Sequence, residues 1–148
     1  MSRAHSAAPL ADAPDLEAAF AVVRAHGLRL STARRLVLEA LYEHDEALPA
    51  DRLAGDLDIA SVYRNLEALE QIGLVRHFHL GHGPGLYARA SLGGREYLVC
   101  DACGAVVAVD PARLDGVRAL IRREFGYEAR FTHFPIAGLC PQCAAEGA

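Results

Sequence analysis

The sequence predicts an α+β protein, in which a helical N-terminal region ends in a β-hairpin and a smaller C-terminal unit follows. Three observations support this class. Apolar residues recur at helical spacing up to about residue 72, the period changes to two over residues 74–90, and four cysteines follow as two CxxC pairs. A chain of 148 residues that is 52% hydrophobic is long enough for one domain or two small ones.

Composition excludes several classes of protein. The apolar runs are much shorter than the roughly 20 residues of a membrane span, and the N-terminus lacks the apolar stretch of a secretory signal. We therefore expect a cytoplasmic protein with no membrane partner. The net charge of −4 argues against a nucleic-acid partner unless positive charge is concentrated locally.

Charge is concentrated in two neighbouring segments. Residues 24–35 contain four arginines and no acid, whereas residues 43–58 contain six acids and the single base Arg52. The first segment is a candidate basic face. A solvated helix face beside an acidic loop has the same signature, so charge alone leaves both interpretations open.

The first two helices are placed by apolar spacing and by capping residues. The first begins near Leu16 and stops at Gly27. The second begins after an N-cap at Ser31 or Thr32. Arg34 then lies in its first turn, where positive charge opposes the helix dipole.

Two further helices precede the hairpin. A short one fits residues 49–55, and a longer one fits residues 59–72 between an N-cap at Asp58 and a stop at Gly73. The longer helix has an apolar stripe that we expect to face the core, consisting of Val62, Leu66 and Leu69.

The hairpin completes a recognisable order of elements. Residues 74–80 and 86–90 alternate as strands around a glycine-rich turn at 81–85. Helices followed by a two-stranded hairpin are typical of a winged helix-turn-helix domain, whose last helix can enter the DNA major groove.

The face of the last helix that lies opposite its apolar stripe presents Ala60, Arg64 and Glu67, and Ser61 and Tyr63 flank its N-terminal turns. Ser61, Tyr63 and Arg64 offer hydroxyl and guanidinium groups that reach base edges and phosphates. Arg29 and Arg34 add positive charge from the basic segment. In the alternative interpretation Tyr63 is partly buried on the surface and Arg64 pairs with a glutamate of its own helix.

After a flexible joint at residues 91–94 a second unit begins. We expect strands at residues 97–100 and 106–109, a helix opened by Asp110-Pro111, and a final strand over about 128–137. The helix has an apolar stripe that we expect to pack inward, consisting of Leu114, Val117, Leu120, Ile121 and Phe125. A unit of this size has a thin core and needs a staple.

The cysteines supply a candidate staple. Cys100 and Cys103 form one CxxC pair, and Cys140 and Cys143 form the other. Each pair can direct two thiolates at one ion, and four thiolates complete a closed tetrahedral zinc site, one per chain. Such a site has a structural role, since no coordination position stays open. Paired disulfides or a redox CxxC remain the alternatives.

Four segments, taken in order, resemble the ferric uptake regulator superfamily of bacterial metal-responsive repressors. They are GLRLSTARRLVLEAL at 27–41, ASVYRNLEALEQIGLV at 60–75, CDACG at 100–104 and GLCPQC at 138–143. The resemblance covers nearly the whole chain, from Leu16 to Cys143. Its zinc uptake regulator branch is one candidate subtype.

The resemblance implies both an architecture and a set of partners. It implies a tail at residues 1–14, a winged-helix DNA-binding domain at 15–90, a hinge at 91–94 and a dimerisation domain with structural zinc at 95–148. It further implies a homodimer that binds an AT-rich palindromic DNA operator when charged with a divalent metal. By the same resemblance Tyr63 contacts bases, Arg64 is its helix partner, and Arg34 stands where the family keeps an arginine.

Several family metal ligands are missing from this chain. The stretch at residues 93–97, which is usually rich in histidine, contains none. Other positions where the family often has a ligand are occupied by Ala88, Ala90, Ala108 and Thr132. The usual sensor and dimer-domain sites are therefore mostly absent.

A different histidine cluster is the candidate regulatory metal site. His77 and His79 lie two apart on the hairpin strand and His82 follows in the turn. Three imidazoles suit a transition metal, with Zn²⁺, Fe²⁺ and Mn²⁺ as candidate ions. Candidates for a fourth ligand are His44, Glu46, Glu96 and His133. Surface histidines near DNA are the alternative interpretation.

These observations favour a DNA-binding transcriptional repressor controlled by a divalent metal. Zinc is the preferred metal, because the usual iron-site groups are absent. One alternative is a regulator with structural zinc only that answers another signal, such as peroxide or a different metal. A metal-dependent hydrolase or a protein-interaction module are further alternatives. We do not expect an enzyme, since the sequence has no HExxH, GxSxG or catalytic cysteine motif.

Overall fold

The computed structural model describes residues 10–80, 83–92, 95–131 and 134–147. These residues form two compact units. Unit one comprises the described residues up to 77 together with 85–92, and unit two comprises 78–80, 83–84 and the described residues from 95 onward. In this part of the chain no helix has both the length and the apolar character needed to cross a membrane.

Unit one contains four helices and a three-stranded sheet. Its elements are α1 (Leu16–Ala25), α2 (Thr32–Glu43), β1 (Leu48–Pro49), α3 (Ala50–Leu53), α4 (Ile59–Gln71), β2 (Val75–Phe78) and β3 (Leu86–Arg89). The last residue of β2, Phe78, is grouped with unit two, where its ring stacks on Tyr97 at 5.3 Å between centroids.

The predicted caps of α2 and α4 are confirmed, and α1 has a further cap at Asp15 that was not predicted. The side chains of Asp15, Ser31 and Asp58 each accept a hydrogen bond from the amide three residues further on, which satisfies one of the unpaired amides of the first turn. Gly73 follows α4 with φ of 82°, a conformation that residues with a Cβ rarely adopt. The chain therefore turns sharply from α4 into the hairpin.

One strand of the sheet was not predicted. The order is β1-β3-β2, and β1 pairs with β3 through Leu48 opposite Tyr87 and Pro49 opposite Leu86. The predicted helix at residues 49–55 is correspondingly shorter and begins at Ala50. A strand of two residues has no periodicity to recognise, and it forms only because β3 offers backbone partners.

The core of unit one lies between α1, α2, α4 and the sheet. The predicted apolar stripe of α4 is confirmed, because Val62, Leu66 and Leu69 are completely buried. Burial of each such side chain contributes about 1.5–3 kcal/mol to folding. This packing fixes the orientation of α4 and leaves its opposite face exposed.

Unit two is a small sheet with one main helix. Its elements are β4 (Glu96–Cys100), β5 (Val106–Val109), α5 (Asp115–Phe125), β6 (Ile136–Gly138) and α6 (Pro141–Ala145), with a 3-10 turn over Pro111–Leu114. The central strand β4 pairs antiparallel with β5 and parallel with β6.

The prediction that the apolar stripe of α5 packs inward within the chain is wrong. Val117 and Leu120 are 42% and 47% exposed, and Phe125 is 72% exposed. No residue of α5 is buried. The periodicity correctly shows an apolar face, but it does not show whether the covering surface belongs to the same chain.

The final strand is also shorter than predicted, because residues 128–131 are not in a strand and β6 begins only at Ile136. A strand requires a neighbour for its backbone groups, and among the described residues of the predicted range 128–137 only those of β6 pair with β4. The predicted hinge at residues 91–94 lies partly outside the described residues. Its first two residues belong to a 3-10 turn over Ala90–Leu92.

Candidate metal centre and nucleic-acid interface

The four cysteines converge on one point of unit two. Their sulfur atoms all lie within 4.8 Å of one another, and all four thiols are free. Cys100 and Cys143 are buried, whereas Cys103 is exposed. Two CxxC pairs with 36 residues between them in the chain are therefore brought together at this cluster.

Local backbone geometry shapes each CxxC pair into a turn. The amide of Cys103 donates to the sulfur of Cys100 at 3.5 Å, and the amide of Cys143 donates to the sulfur of Cys140 at 3.4 Å. Gly104 follows the first pair with φ of 77°, which closes that turn. Cys140 also caps the N-terminus of α6.

Strand pairing brings the two turns side by side. Cys100, at the end of β4, lies opposite Gly138 of β6. The amide of Asp101 donates to the carbonyl of Gly138 at 2.8 Å. The cluster is therefore positioned by the parallel β4–β6 pair, a contact that no local sequence motif predicts.

The sulfur geometry fits a tetrahedral zinc ion. Zinc–sulfur bonds of about 2.3 Å place neighbouring sulfurs about 3.8 Å apart in a tetrahedron. The sulfur atoms of Cys103 and Cys140 are 3.8 Å apart. Four soft thiolate donors also match the preference of zinc over hard cations such as magnesium.

The pKa values of the clustered thiols also favour a bound cation. Hydrogen bonds from the amides of Cys103 and Cys140 lower the pKa of Cys100 to about 6. Hydrogen bonding to the Cys140 side chain and burial raise the pKa of Cys143 to about 12. A thiolate in this cluster thus disfavours ionisation of the neighbouring thiols. All four thiols ionise together only when a cation lies between them.

The candidate DNA-reading residues of α4 lie outside its buried apolar stripe. Tyr63 is 48% exposed and Arg64 is exposed, whereas Ser61 is half-buried near the helix start. The ring of Tyr63 lies edge-on to Tyr87, with centroids 6.4 Å apart. Since Tyr87 is buried, it braces Tyr63 at the surface of unit one.

Arg64 does not pair with the glutamates of its helix. Within residues 10–80 and the other described ranges it forms no ion pair, so its guanidinium faces solvent. Glu70 instead approaches His77, with 4.0 Å between a carboxylate oxygen and Nδ1. The alternative in which Arg64 is held by its own helix is therefore not what the structure contains.

Arg34 has a structural role that the sequence did not predict. Its Nε donates to Oδ1 of Asn65 at 3.1 Å, and its Nη1 donates to the carbonyl of Arg29 at 2.6 Å. Asn65 is 8% exposed and also donates to the carbonyl of Ser61. Arg34 thus ties the start of α2 to α4. A polar residue three positions after Val62, on an otherwise apolar face, was the available signal for this contact.

The remaining basic residues of the segment 24–35 have mixed roles. Arg24 and Arg29 are exposed. Arg35 lies over the ring of Phe20, 4.8 Å from its centroid, and so helps to join α2 to α1. The free guanidinium groups of the candidate DNA surface are therefore fewer than the arginine count implies.

The candidate regulatory ligands are only partly within the described residues. His82 and His133 lie outside them. His77 stacks on Tyr87 at 4.5 Å in unit one, and His79 stacks on Phe134 at 5.7 Å in unit two. His44 lies at the end of α2.

Of the two carboxylate candidates, Glu46 is exposed and Glu96 is paired with Arg118 at 2.6 Å. Among the described residues, the four cysteines are the single group of three or more ligand side chains that converge on one point. The histidine cluster therefore stays a prediction.

A family model and individual relatives indicate the same protein family. Residues 25–134 match the model of the ferric uptake regulator family. A ferric uptake regulation protein of Campylobacter jejuni is 25% identical over 131 residues, covering 82% of this chain and 83% of that protein. A zinc uptake regulation protein of Mycobacterium tuberculosis is 28% identical over 130 residues, covering 80% of this chain and 97% of that protein.

A solved structure supports the fold. The ferric uptake regulator of Helicobacter pylori, described as having three functional metal-binding sites, superposes with a TM-score of 0.67. The match covers 91% of this chain and 97% of that one at 17% sequence identity. The predicted fold class, with helices, small sheets and a four-cysteine cluster, is confirmed.

Removal of one cysteine tests the metal centre. We expect Cys103→Ser to lose zinc to a chelator and to unfold with less cooperativity, because three thiolates leave the tetrahedron open. Zinc content per chain and thermal unfolding followed by circular dichroism measure both effects. Ala102→Ser, an exposed change in the same turn, should retain zinc. A zinc-free Cys103→Ser protein with an unchanged unfolding midpoint would contradict the assignment.

Proposed function

Because this chain belongs to the ferric uptake regulator family of DNA-binding transcriptional regulators, we propose that it is a homodimeric repressor whose response is to zinc. Members of this family are not enzymes, and they bind DNA as dimers. The observation that carries the proposal is the exposed face of α4, where Tyr63 and Arg64 are free to contact DNA.

The position of α4 suits entry into the major groove. Its inner face is fixed by complete burial of Val62, Leu66 and Leu69. Its start is fixed by the Asp58 cap and by the hydrogen bond of Asn65 to Arg34. A rigid helix with one free polar face can present hydroxyl and guanidinium groups to base edges. Arg29, exposed before α2, is proposed to contact phosphate.

Charge limits how this surface can bind. The chain has a net charge of −4, and Arg34 and Arg35 are engaged within unit one. Few counterions are therefore released on non-specific DNA. Operator affinity then depends on base contacts and on two copies of α4 reading a palindrome, which the family resemblance suggests is AT-rich.

The exposed apolar stripe of α5 supports the homodimer. Val117, Leu120 and Phe125 form an apolar face that unit two leaves uncovered. An apolar face of this kind is typical of a protein–protein interface. A second copy of unit two is the proposed cover, and residues 95–148 are the proposed dimerisation domain.

The four cysteines are proposed to hold one structural zinc ion per chain. When bound, the ion supplies positive charge that lets all four thiols ionise and joins the two CxxC turns. Zinc as the regulatory signal is supported by the Mycobacterium tuberculosis relative, a zinc uptake regulation protein. The proposed regulatory ligands are His77, His79 and His82, with Zn²⁺, Fe²⁺ and Mn²⁺ as the ions to compare.

One observation favours a second candidate function. In the part of the chain that the structure describes, the cysteines are the single group of three or more converging metal ligands. A regulator with structural zinc alone, which answers another signal, is consistent with this finding. The two candidates differ in whether added metal changes DNA affinity.

The operator contact of Tyr63 is tested on a DNA site selected from a random pool. We expect Tyr63→Ala to weaken operator binding by about 1–3 kcal/mol per lost base contact, while binding to a scrambled site stays unchanged. Tyr63→Phe keeps the ring beside Tyr87 and removes only the hydroxyl, so it distinguishes the contribution of the hydroxyl from that of the ring. Fluorescence anisotropy on both DNAs measures the difference. Equal losses on the operator and the scrambled site would show that Tyr63 does not read bases.

The dimer face is tested by placing a charge on it. We expect Leu120→Glu to raise the dimer dissociation constant at least about tenfold and to weaken operator binding, because an unpaired carboxylate resists burial. Sedimentation equilibrium measures the association. Ala119→Glu, an exposed position on the opposite side of α5, is the matched control and should remain dimeric. Dimers of unchanged stability in both variants would refute this interface.

The metal response is tested with the cysteine-bound zinc retained. We expect added Zn²⁺ to raise operator affinity at least about tenfold, a coupling free energy of about 1.4 kcal/mol or more. His77→Gln and His79→Gln should abolish the effect, and His26→Gln, at the end of α1, should not. An affinity that no divalent metal changes would exclude the zinc response and favour the second candidate.

A further inference from the structure

Glu96 is a buried carboxylate in unit two, which has a small apolar core. It opens β4, and its side chain is 5% exposed. One oxygen accepts a hydrogen bond from Nη1 of Arg118 at 2.6 Å. The other oxygen is buried and has no hydrogen-bond partner among the described residues. A buried carboxylate is costly without a compensating positive charge, so Arg118 is what allows Glu96 to be there.

The same guanidinium reaches two more oxygen atoms. Its Nη2 donates to Oδ1 of Asp115 at 2.8 Å and also to the carbonyl of Pro111. The three acceptors come from the start of β4, the 3-10 turn and the first residue of α5. Arg118 therefore joins three segments through oxygen atoms alone.

This donor set is the kind that a hard divalent cation selects. Carboxylate and carbonyl oxygens suit Mg²⁺, Ca²⁺ and Mn²⁺, whereas the four thiolates suit zinc. The unsatisfied oxygen of Glu96 is a further donor in the same place. In this chain the positive charge is supplied by a side chain three residues after Asp115, on the first turn of α5.

We infer that Arg118 is a resident cation that closes an oxygen-donor site to divalent metal. The Glu96 carboxylate, the Asp115 carboxylate and the Pro111 carbonyl form that site, and it binds Mn²⁺ once the guanidinium is removed. Glu96 is then a partner of Arg118 and not a regulatory ligand. Because the charge is covalently part of α5, the joint between β4 and α5 does not vary with metal concentration.

The inference is separate from the proposed DNA-binding function, since metal content tests it without an operator. The probe is Mn²⁺ alone, added to the full-length, zinc-loaded protein, with free Mn²⁺ followed by electron paramagnetic resonance. Arg118→Met removes the charge and keeps a side chain of similar length. We expect it to gain a Mn²⁺ ion per chain, bound at least about tenfold more tightly than by the unmodified protein.

Two further variants assign the gained ion to this site. Arg118→Met combined with Glu96→Gln should lose it, because one carboxylate ligand is gone. Arg118→Lys keeps the positive charge and should bind no more Mn²⁺ than the unmodified protein. Absence of a gain in a folded Arg118→Met protein, or an equal gain in Arg118→Lys, overturns the inference.

A variant that retains Arg118 decides the matter if Arg118→Met does not fold. Glu96→Gln in the otherwise unmodified protein should leave Mn²⁺ binding unchanged, because Glu96 contacts Arg118 and no metal. A loss of bound Mn²⁺ in that variant means that Glu96 is a metal ligand with Arg118 present, and the inference fails.

Discussion

The convergence of four cysteine thiols is the constraint on which the second unit depends. Few of its apolar side chains are buried, and α5 has none. A unit with so little core gains little from the hydrophobic effect. The two CxxC turns join the ends of β4 and β6 at one point, with all sulfurs within 4.8 Å. A tetrahedral ion bound there would supply cross-links that apolar packing does not.

Unit one is stabilised in a different way. Its helices and sheet enclose a continuous apolar cluster from Ala13 to Tyr87. This core holds α4 along its whole inner face, so the outer face needs no stabilising role. Tyr63 and Arg64 are consequently available for a ligand, while Arg34 and Asn65 hold α2 against α4. Binding groups and structural groups are thus separated by the two faces of one helix.

The arginines of this chain have different roles. Arg35 and Arg34 join helices within unit one, and Arg118 compensates a buried carboxylate within unit two. Arg64 and Arg29 remain exposed. The net charge of −4 is therefore compatible with a DNA-binding surface, because few arginines are needed when base contacts and dimer symmetry supply specificity.

The sequence by itself determined the features that depend on neighbours along the chain. These are the caps at Ser31 and Asp58, the buried stripe of α4 and the two CxxC turns. Only the tertiary structure decided the pairing of β1 with β3, the contact of Arg34 with Asn65 and the pairing of Glu96 with Arg118. The physical reason is that periodicity and capping report local geometry. A partner 20 or more residues away leaves no local pattern, and the exposed stripe of α5 shows that periodicity cannot identify what covers an apolar face.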